Sequence, residues 1–212
     1  MAESLRQRLM SAMHRPVYES RLRVLSAAVI AYLQTDDEVL DIGCGFGALG
    51  RAIMDHDDCP DGVVVRGVER VKRGGEAIEV EAYDGIKLPY EDNHFDVTIL
   101  ADVLHHDEQP DRLLAQAARV SKRLVIIKDH KVDGPLAQSR ISLMDWAANS
   151  PYGVPCLYRY PTLAGWHEQQ ERLGLKLVGE HTKMSLYPMP YRWVFTPRLQ
   201  YLAALAVPNS SA

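Results

Sequence analysis

Two spacings of apolar residues take turns along this chain. Leu5, Leu9, Met10 and Met13 recur at helical intervals before Pro16 interrupts the pattern. A second helix is predicted from Pro16 to Leu33, with Leu22, Leu25, Ala28, Val29, Tyr32 and Leu33 on its buried face. Short continuous apolar runs then follow, at Val39 to Ile42, Val63 to Glu69, Glu79 to Asp84, Phe95 to Leu100 and Leu124 to Ile127. Each reads as a buried strand, because large and β-branched side chains pack well on a pleated surface.

Helices are predicted between these strands, from Ala48 to Met54 and from Pro110 onward. In the second, the proline's missing donor costs nothing at the first position, and Leu113, Leu114, Ala117 and Ala118 form the buried face. Val71 to Ala77 carries Gly74-Gly75, so a helix there is expected to be missing or reduced to a turn. Past Gly134 the spacing predicts helices over Leu136 to Ala148 and Leu163 to Leu173, the latter closed by Gly174. They are separated by a Pro-, Gly- and Tyr-rich irregular segment from Asn149 to Pro161. Lys176 to Met184 and Tyr191 to Pro197 read as a hairpin pair at the sheet edge, and Leu199 to Val207 as an apolar packed element. Residues 208–212 read as a disordered tail.

Composition narrows the function classes. The 212 residues suit one domain, and 47% hydrophobic with 25% charged residues is the balance of a soluble globular chain. A net charge of −4 with scattered basic residues gives no electrostatic footprint for nucleic acid, which favours small or neutral substrates. Cys44, Cys59 and Cys156 share no metal-ligand or redox spacing, as expected in a reduced, cytoplasmic compartment. Met1 to Arg15 lacks a signal-peptide core, and no apolar run reaches the length of a membrane span.

The candidate chemistry begins at Asp41-Ile42-Gly43-Cys44-Gly45-Phe46-Gly47, where a strand ends in a glycine turn that leads into a helix. The glycines let the backbone bend sharply and keep side chains away from a bound molecule, and the helix points its positive end at the loop. Gly43, Gly45 and Ala48 also fit a dinucleotide fingerprint. Asp41 opposes that reading, since a carboxylate beside the first glycine repels a pyrophosphate and suits a cationic amino group. Glu69, roughly twenty residues on, is where an acid can accept the ribose hydroxyls of a bound adenosine.

Together with Asp84 after the third strand, Leu88-Pro89-Tyr90 and Phe95-Asp96, this stretch resembles motif I and the following motifs of the class I S-adenosylmethionine-dependent methyltransferases. The likeness is to those of the ubiquinone-biosynthesis type, methyltransferase domain family 11-like, and covers about Val39 to Lys131. It implies an α/β, Rossmann-like three-layer αβα sandwich with a seven-stranded, mostly parallel sheet whose last strand is antiparallel. It implies an N-terminal arm over residues 1–34 that lies across the site, and a methyltransferase domain over 35–207.

The cofactor implied is S-adenosyl-L-methionine, leaving as S-adenosyl-L-homocysteine. The residues implied to hold it are Asp41, Gly43, Cys44, Gly45, Gly47 and Glu69, then Asp84, Gly85 and Ile86 beside the adenine, and Ala101 and Asp102 at the end of strand four. The reaction implied is in-line transfer of the sulfonium methyl to an O, N or C nucleophile of a small molecule, driven mainly by proximity. Aromatic residues of the arm and cover, Tyr18, Trp146, Tyr152 and Tyr158, are the substrate-binding candidates.

Strands four and five aim His105, His106, Asp129 and His130 at the same cleft. His106 leads as a general base, with His105 second, because adjacent residues on an extended segment face opposite ways. An Asp129–His130 pair, with the carboxylate orienting the imidazole, is the other candidate. These groups with Asp107 could in principle ligate a metal, but no helix-spaced ligand pair supports one, and no metal is expected. An NAD-dependent oxidoreductase and a non-catalytic methyltransferase-like binding protein are the competing readings. The sequence fixes neither the acceptor nor an oligomeric state.

Overall fold

A computed structural model describes residues 5–149 and 156–208. The elements run α1 (Leu5–Ile30), β1 (Glu38–Ile42), α2 (Ala48–Met54), β2 (Val64–Glu69), β3 (Val80–Ala82), β4 (Phe95–Ala101), α3 (Pro110–Val120) and β5 (Ser121–His130). They continue with α4 (Ala137–Asn149), α5 (Leu163–Arg172), β6 (Lys176–His181), the short α6 (Tyr191–Val194) and β7 (Gln200–Ala206). The seven strands form one sheet in the order β3-β2-β1-β4-β5-β7-β6. β1 is parallel to β2 and β4, β2 to β3 and β4 to β5, whereas β7 runs antiparallel to both β5 and β6.

Alternation along the strands sends side chains to two cores. Leu40 and Ile42 of β1 join Leu113, Leu114 and Ala117 of α3 and Trp166 of α5 in one. Val39 joins Leu25 and Val29 of α1 and Leu49 and Ile53 of α2 in the other. These are the expected three layers. A third cluster packs Ala137, Ile141 and Met144 of α4 against Tyr160 and Leu199. Arg119 of α3 donates to the carbonyls of Leu88 and Tyr90 at 3.0 and 2.8 Å, which fixes the Leu-Pro-Tyr loop before β4.

Three expectations are corrected. α1 does not break at Pro16 but runs through it from Leu5 to Ile30. A proline removes one backbone donor, and burial of Leu25 and Val29 in the core outweighs that local cost. The second correction concerns the last strands. Tyr191–Val194 is a helical turn, and the apolar element from Leu199 onward supplies the final strand instead. Tyr201 to Leu205 are fully buried, so this segment sits inside the sheet, where an edge strand with charged Arg192 could not. Third, strand three is shorter than expected, only Val80–Ala82. The side chains of Leu5, Leu9, Met10 and Met13, residue Tyr152 and the tail from 209 lie outside the described residues. No helix lies between β2 and β3, as expected from Gly74-Gly75.

Because β7 is buried on both faces, it tolerates truncation poorly. Leu202→Ala should lower unfolding stability by about 2–5 kcal/mol in urea denaturation. A loss below about 1 kcal/mol would contradict a fully packed site there.

Candidate functional site: a glycine cradle and a buried acid–histidine cluster

β1 and β4 are neighbours whose chains continue to opposite sides of the sheet, and the cleft beyond their carboxyl ends is where open α/β sheets bind ligands. Gly43, Gly45 and Gly47 line it in left-handed backbone, at φ +71°, +59° and +71°. A Cβ on Gly43 would lie 2.7 Å from Val103 Cγ2, whereas one on Gly45 would meet nothing within 4 Å. The loop is held from below. Gly43 N donates to Val68 O at 2.8 Å, and Gly45 N donates to Glu69 Oε2 at 2.9 Å. The Cys44 thiol packs against Gly67, and burial together with the charges of Asp41 and Glu69 keeps it protonated.

Asp41 is buried at 2% exposure, and among the described residues its Oδ2 has no hydrogen-bond partner. Burial pushes its carboxyl up to about 7, with Arg21 pulling against the rise and Glu69 adding to it.

The segment after β2 closes the loop from the side without forming a helix. Ala77 N donates to Phe46 O at 2.8 Å, and Ile78 fills the space beside Gly47 and Gly50. Asp84 lies on the surface beyond β3, where its Oδ1 accepts from the amides of Ile86 and Lys87 at 2.7 and 2.9 Å. Those bonds hold its carboxyl below the usual range. Gly85 abuts Arg70, and Ile86 is 57% exposed beside them.

Beyond β4 the cleft is lined with charge. Ala101 ends the strand half-buried, and Asp102 follows in left-handed backbone at φ +59°. Asp102 Oδ2 accepts from Arg21 of α1 at 2.7 Å, its Oδ1 accepts from the fully buried Lys128, and His130 Nε2 lies 3.6 Å away. Burial alone would raise Asp102, but Lys128 and Arg21 outweigh it and hold the carboxyl well below its ordinary value. Burial, with Lys128 alongside, presses His130 down to about 4, and its Nδ1 is buried with no partner among the described residues. Its carbonyl accepts from Trp166 Nε1 at 2.9 Å.

The turn Leu104–His106 is a short 3₁₀ helix, and it brings its two histidine rings to within 4.0 Å of each other. His105 Nδ1 lies 2.6 Å from Asp129 Oδ1, which also accepts from the amide of His130. His105 Nε2 and His106 Nε2 lie 3.6 and 3.5 Å from one oxygen of Asp145, on α4. Tyr160 donates its phenol hydrogen to the other Asp145 oxygen at 2.6 Å. Burial opposes a charge on His105, but Asp129 and Asp145 overcome it and raise the ring to about 10. Burial alone would raise Asp145, but His105, the Tyr160 hydroxyl and His106 outweigh it and hold the carboxyl far below the usual range.

Residues 11–179 match the model of a methyltransferase domain, which is most of the chain. The chain belongs to that family, in its class I, S-adenosylmethionine-dependent form. A curated relative, the ubiquinone/menaquinone biosynthesis C-methyltransferase UbiE of Bordetella avium, is 29% identical over 139 residues, covering 58% of this chain and 54% of the relative. The chain thus spans about half the length of the curated relatives it matches. Among solved structures, the methyltransferase of Haloferax volcanii, seen in complex with the Trm112 methyltransferase activator, superposes with a TM-score of 0.68 at 14% identity, covering 96% of each chain. A Bacillus halodurans methyltransferase superposes at 0.61 and 18% identity, over 87% of this chain and 98% of its own. These structures share the fold.

For this methyltransferase-family chain the cradle residues fall together: Asp41, Gly43, Gly45, Gly47 and Glu69 form one loop-and-strand unit, with Asp102 opposite. Three expectations at the catalytic end are corrected. His105 and His106 do not face opposite ways, because a 3₁₀ turn replaces the extended backbone that the expectation required. Asp129 pairs with the ring of His105, not with that of His130, to which it offers only a backbone contact. Asp145, forty residues away on α4, joins the histidines, a place the sequence offered only to Asp107 and only as one of a possible metal set.

Of the aromatic candidates, Tyr18 and Tyr158 are exposed at 48% and 42% and Trp146 at 54%. Arg21, Lys128, Asp145 and Tyr160 carry no motif in the sequence. Lys128 alone had a signal, a charge ending an apolar strand.

The φ of Gly43 and its contact with Val103 predict a coupled effect. Gly43→Ala should cost about 1–3 kcal/mol of stability, and Gly43→Ala in a Val103→Ala background clearly less, measured as a double-mutant cycle in urea. Additive effects would show that the two positions do not touch.

Proposed function

We propose that this chain binds S-adenosylmethionine in the glycine cradle and transfers its methyl group to a small-molecule acceptor at the ends of β4 and β5. The observation that carries the reading is Asp41. A buried carboxylate with an unpartnered oxygen, raised to about 7, gains most from a cationic ligand, such as the amino group of the methionine part. A diphosphate would meet repulsion there. The left-handed glycines fit the same ligand, since at Gly45 nothing stands between backbone and cleft.

In this assignment Glu69 orients the ribose while bracing the loop, and Asp84, Gly85 and Ile86 flank the adenine edge. The Asp102 carboxylate, charged and tied to Arg21, fixes the arm α1 across the cleft and faces the sulfur side. S-adenosylmethionine, when bound, supplies an electrophilic methyl on a sulfonium. The protein's own residues contribute placement: α1 and α4 exclude water, and Tyr18, Trp146 and Tyr158 offer faces to an aromatic acceptor.

Neither buried imidazole is suited to strong base catalysis. His105 already carries its proton between two acids, and His130 offers Nδ1 as a hydrogen-bond acceptor that orients the acceptor's hydroxyl. This supports an acceptor that arrives activated, such as an electron-rich ring carbon of a hydroxylated aromatic compound. The curated relatives are C-methyltransferases of quinone biosynthesis. A cytoplasmic, small-molecule enzyme is the accompanying reading, and among the described residues no helix is long and apolar enough to cross a membrane.

The sign of the pH effect follows from Asp41. Its folded carboxyl is raised, so ionisation occurs as pH climbs through about 7, and affinity for the cationic headgroup should climb with it. Calorimetry with S-adenosylhomocysteine should show roughly five-fold tighter binding at pH 7 than at pH 6. Asp41→Asn should bind at least about ten-fold more weakly and lose that slope. With labelled methyl donor and hydroxylated aromatic acceptors, His130→Ala should slow transfer by less than the roughly 10²–10⁴-fold of a lost general base. Tight nicotinamide-nucleotide binding without affinity for the homocysteine product would sink the reading.

A further inference from the structure

Two imidazole nitrogens and a carboxylate oxygen converge in a place that a methyl-transfer site does not require. His105 Nε2, His106 Nε2 and Asp145 Oδ1 lie within 4.8 Å of one another, and the two nitrogens stand 3.6 and 3.5 Å from the oxygen. Hydrogen bonds from nitrogen to oxygen close to about 2.7–3.2 Å, so these ion-pair gaps are both longer than a well-formed hydrogen bond. They are the spacing of donors around one small ion. Zinc bonds nitrogen at about 2.0–2.1 Å and carboxylate oxygen at about 2.0–2.2 Å, which sets tetrahedral neighbours about 3.3 Å apart.

The surroundings of the triangle are already arranged. Asp129 takes the Nδ1 hydrogen of His105 at 2.6 Å, which leaves Nε2 directed at Asp145. That carboxylate favours a positive charge between the two, a proton on Nε2 that a metal ion can replace. Tyr160 satisfies the outer oxygen of Asp145. A carboxylate behind a ligating histidine and a donor behind a ligating carboxylate are the outer partners that orient metal ligands. Asp145 is 3% exposed and His105 4%, so two of the donors are shielded from water, as ligands of structural zinc sites are. Cys156, half-buried at the start of the described segment after α4, interacts through its thiol with the same Asp145 carboxylate.

We propose that His105, His106 and Asp145 hold a zinc ion, with the Cys156 thiolate as fourth donor. On binding, His105 gives up its Nε2 hydrogen and Cys156 its thiol hydrogen to solvent, and the ion takes the place of that positive charge. The mixed nitrogen, oxygen and sulfur set suits zinc above magnesium or calcium, which prefer all-oxygen shells. Its effect is mechanical. Three segments far apart in the chain, the turn after β4, α4 and the irregular stretch before α5, are clipped together over the open end of the sheet. The ion needs no methyl donor, so the site stands or falls separately from the methyl-transfer reading.

The test uses the untagged full chain, stripped with a chelator, dialysed against zinc chloride and passed through gel filtration. One zinc per chain by elemental analysis is expected, and cobalt(II) in its place should give tetrahedral visible absorption with a thiolate charge-transfer band. His106→Ala and Cys156→Ser should each weaken zinc binding at least about ten-fold, while His181→Ala, on exposed β6, leaves it unchanged. Should His106→Ala fail to fold by circular dichroism, Cys156→Ser, a one-atom change, carries the comparison. Zinc retained at well below one equivalent, or held equally by both variants, overturns the proposal. S-adenosylhomocysteine affinity, measured in parallel on the zinc-free chain, separates this outcome from failure of the cofactor cradle.

Discussion

The constraint on which this structure depends is neutralisation of carboxylates that the sheet buries at the ends of its central strands. Asp129 and Asp145, the latter brought in by α4, are buried and Asp102 is partly so, and an isolated charge in such surroundings would cost several kcal/mol. Arg21 and Lys128 both pair with Asp102, and His105 lies between Asp129 and Asp145. The elements that supply these partners are α1, β5 and the turn after β4, so charge pairing links α1 and the sheet by more than apolar contact. α4 joins through Asp145 and Tyr160. Removing one member leaves its partner buried and uncompensated, which is costlier than losing the pair.

Asp41 stands outside that balance. Burial raises its carboxyl, and Arg21, the opposite charge that pulls it back, is already engaged by Asp102, so it stays protonated more readily than its type suggests. A group left uncompensated next to a fully compensated layer marks where the fold expects something from solution. The layer holds the shape, and in the proposed function the leftover carboxylate selects the ligand.

Much of the cradle could be read from residue types alone. Gly43, Gly45 and Gly47 need positive φ, Asp41 and Glu69 sit at fixed strand ends, and Gly74-Gly75 announces the missing helix, because each of these is a local property. The cluster beyond β4 was not legible. Asp145 approaches His105 from forty residues away, and no periodicity records which helix end will fold over which strand. The pairing of Asp129 with His105 was hidden for a different reason. Whether a histidine pair alternates or turns together depends on whether the backbone is extended or 3₁₀, and the run Val103-Leu104-His105-His106 has no residue that decides it. The last strand was misplaced because a helix-breaking Pro188-Met189-Pro190 and an aromatic Tyr191-Arg192-Trp193 imitate a turn followed by a strand, whereas burial picks the later, wholly apolar segment.

The position of β7 has a consequence for how the chain is made. β6 pairs only with β7, and one edge of β5 has no other partner, yet β7 is synthesised after both. Until the final segment clears the ribosome, the nascent chain must carry an unpaired β5 edge made of Leu124 to Ile127 and a β6 with no neighbour. Such edges invite pairing with other chains. Completion of the sheet therefore waits for β7, and protection from aggregation is needed for that interval rather than for the glycine cradle, whose strands are adjacent early.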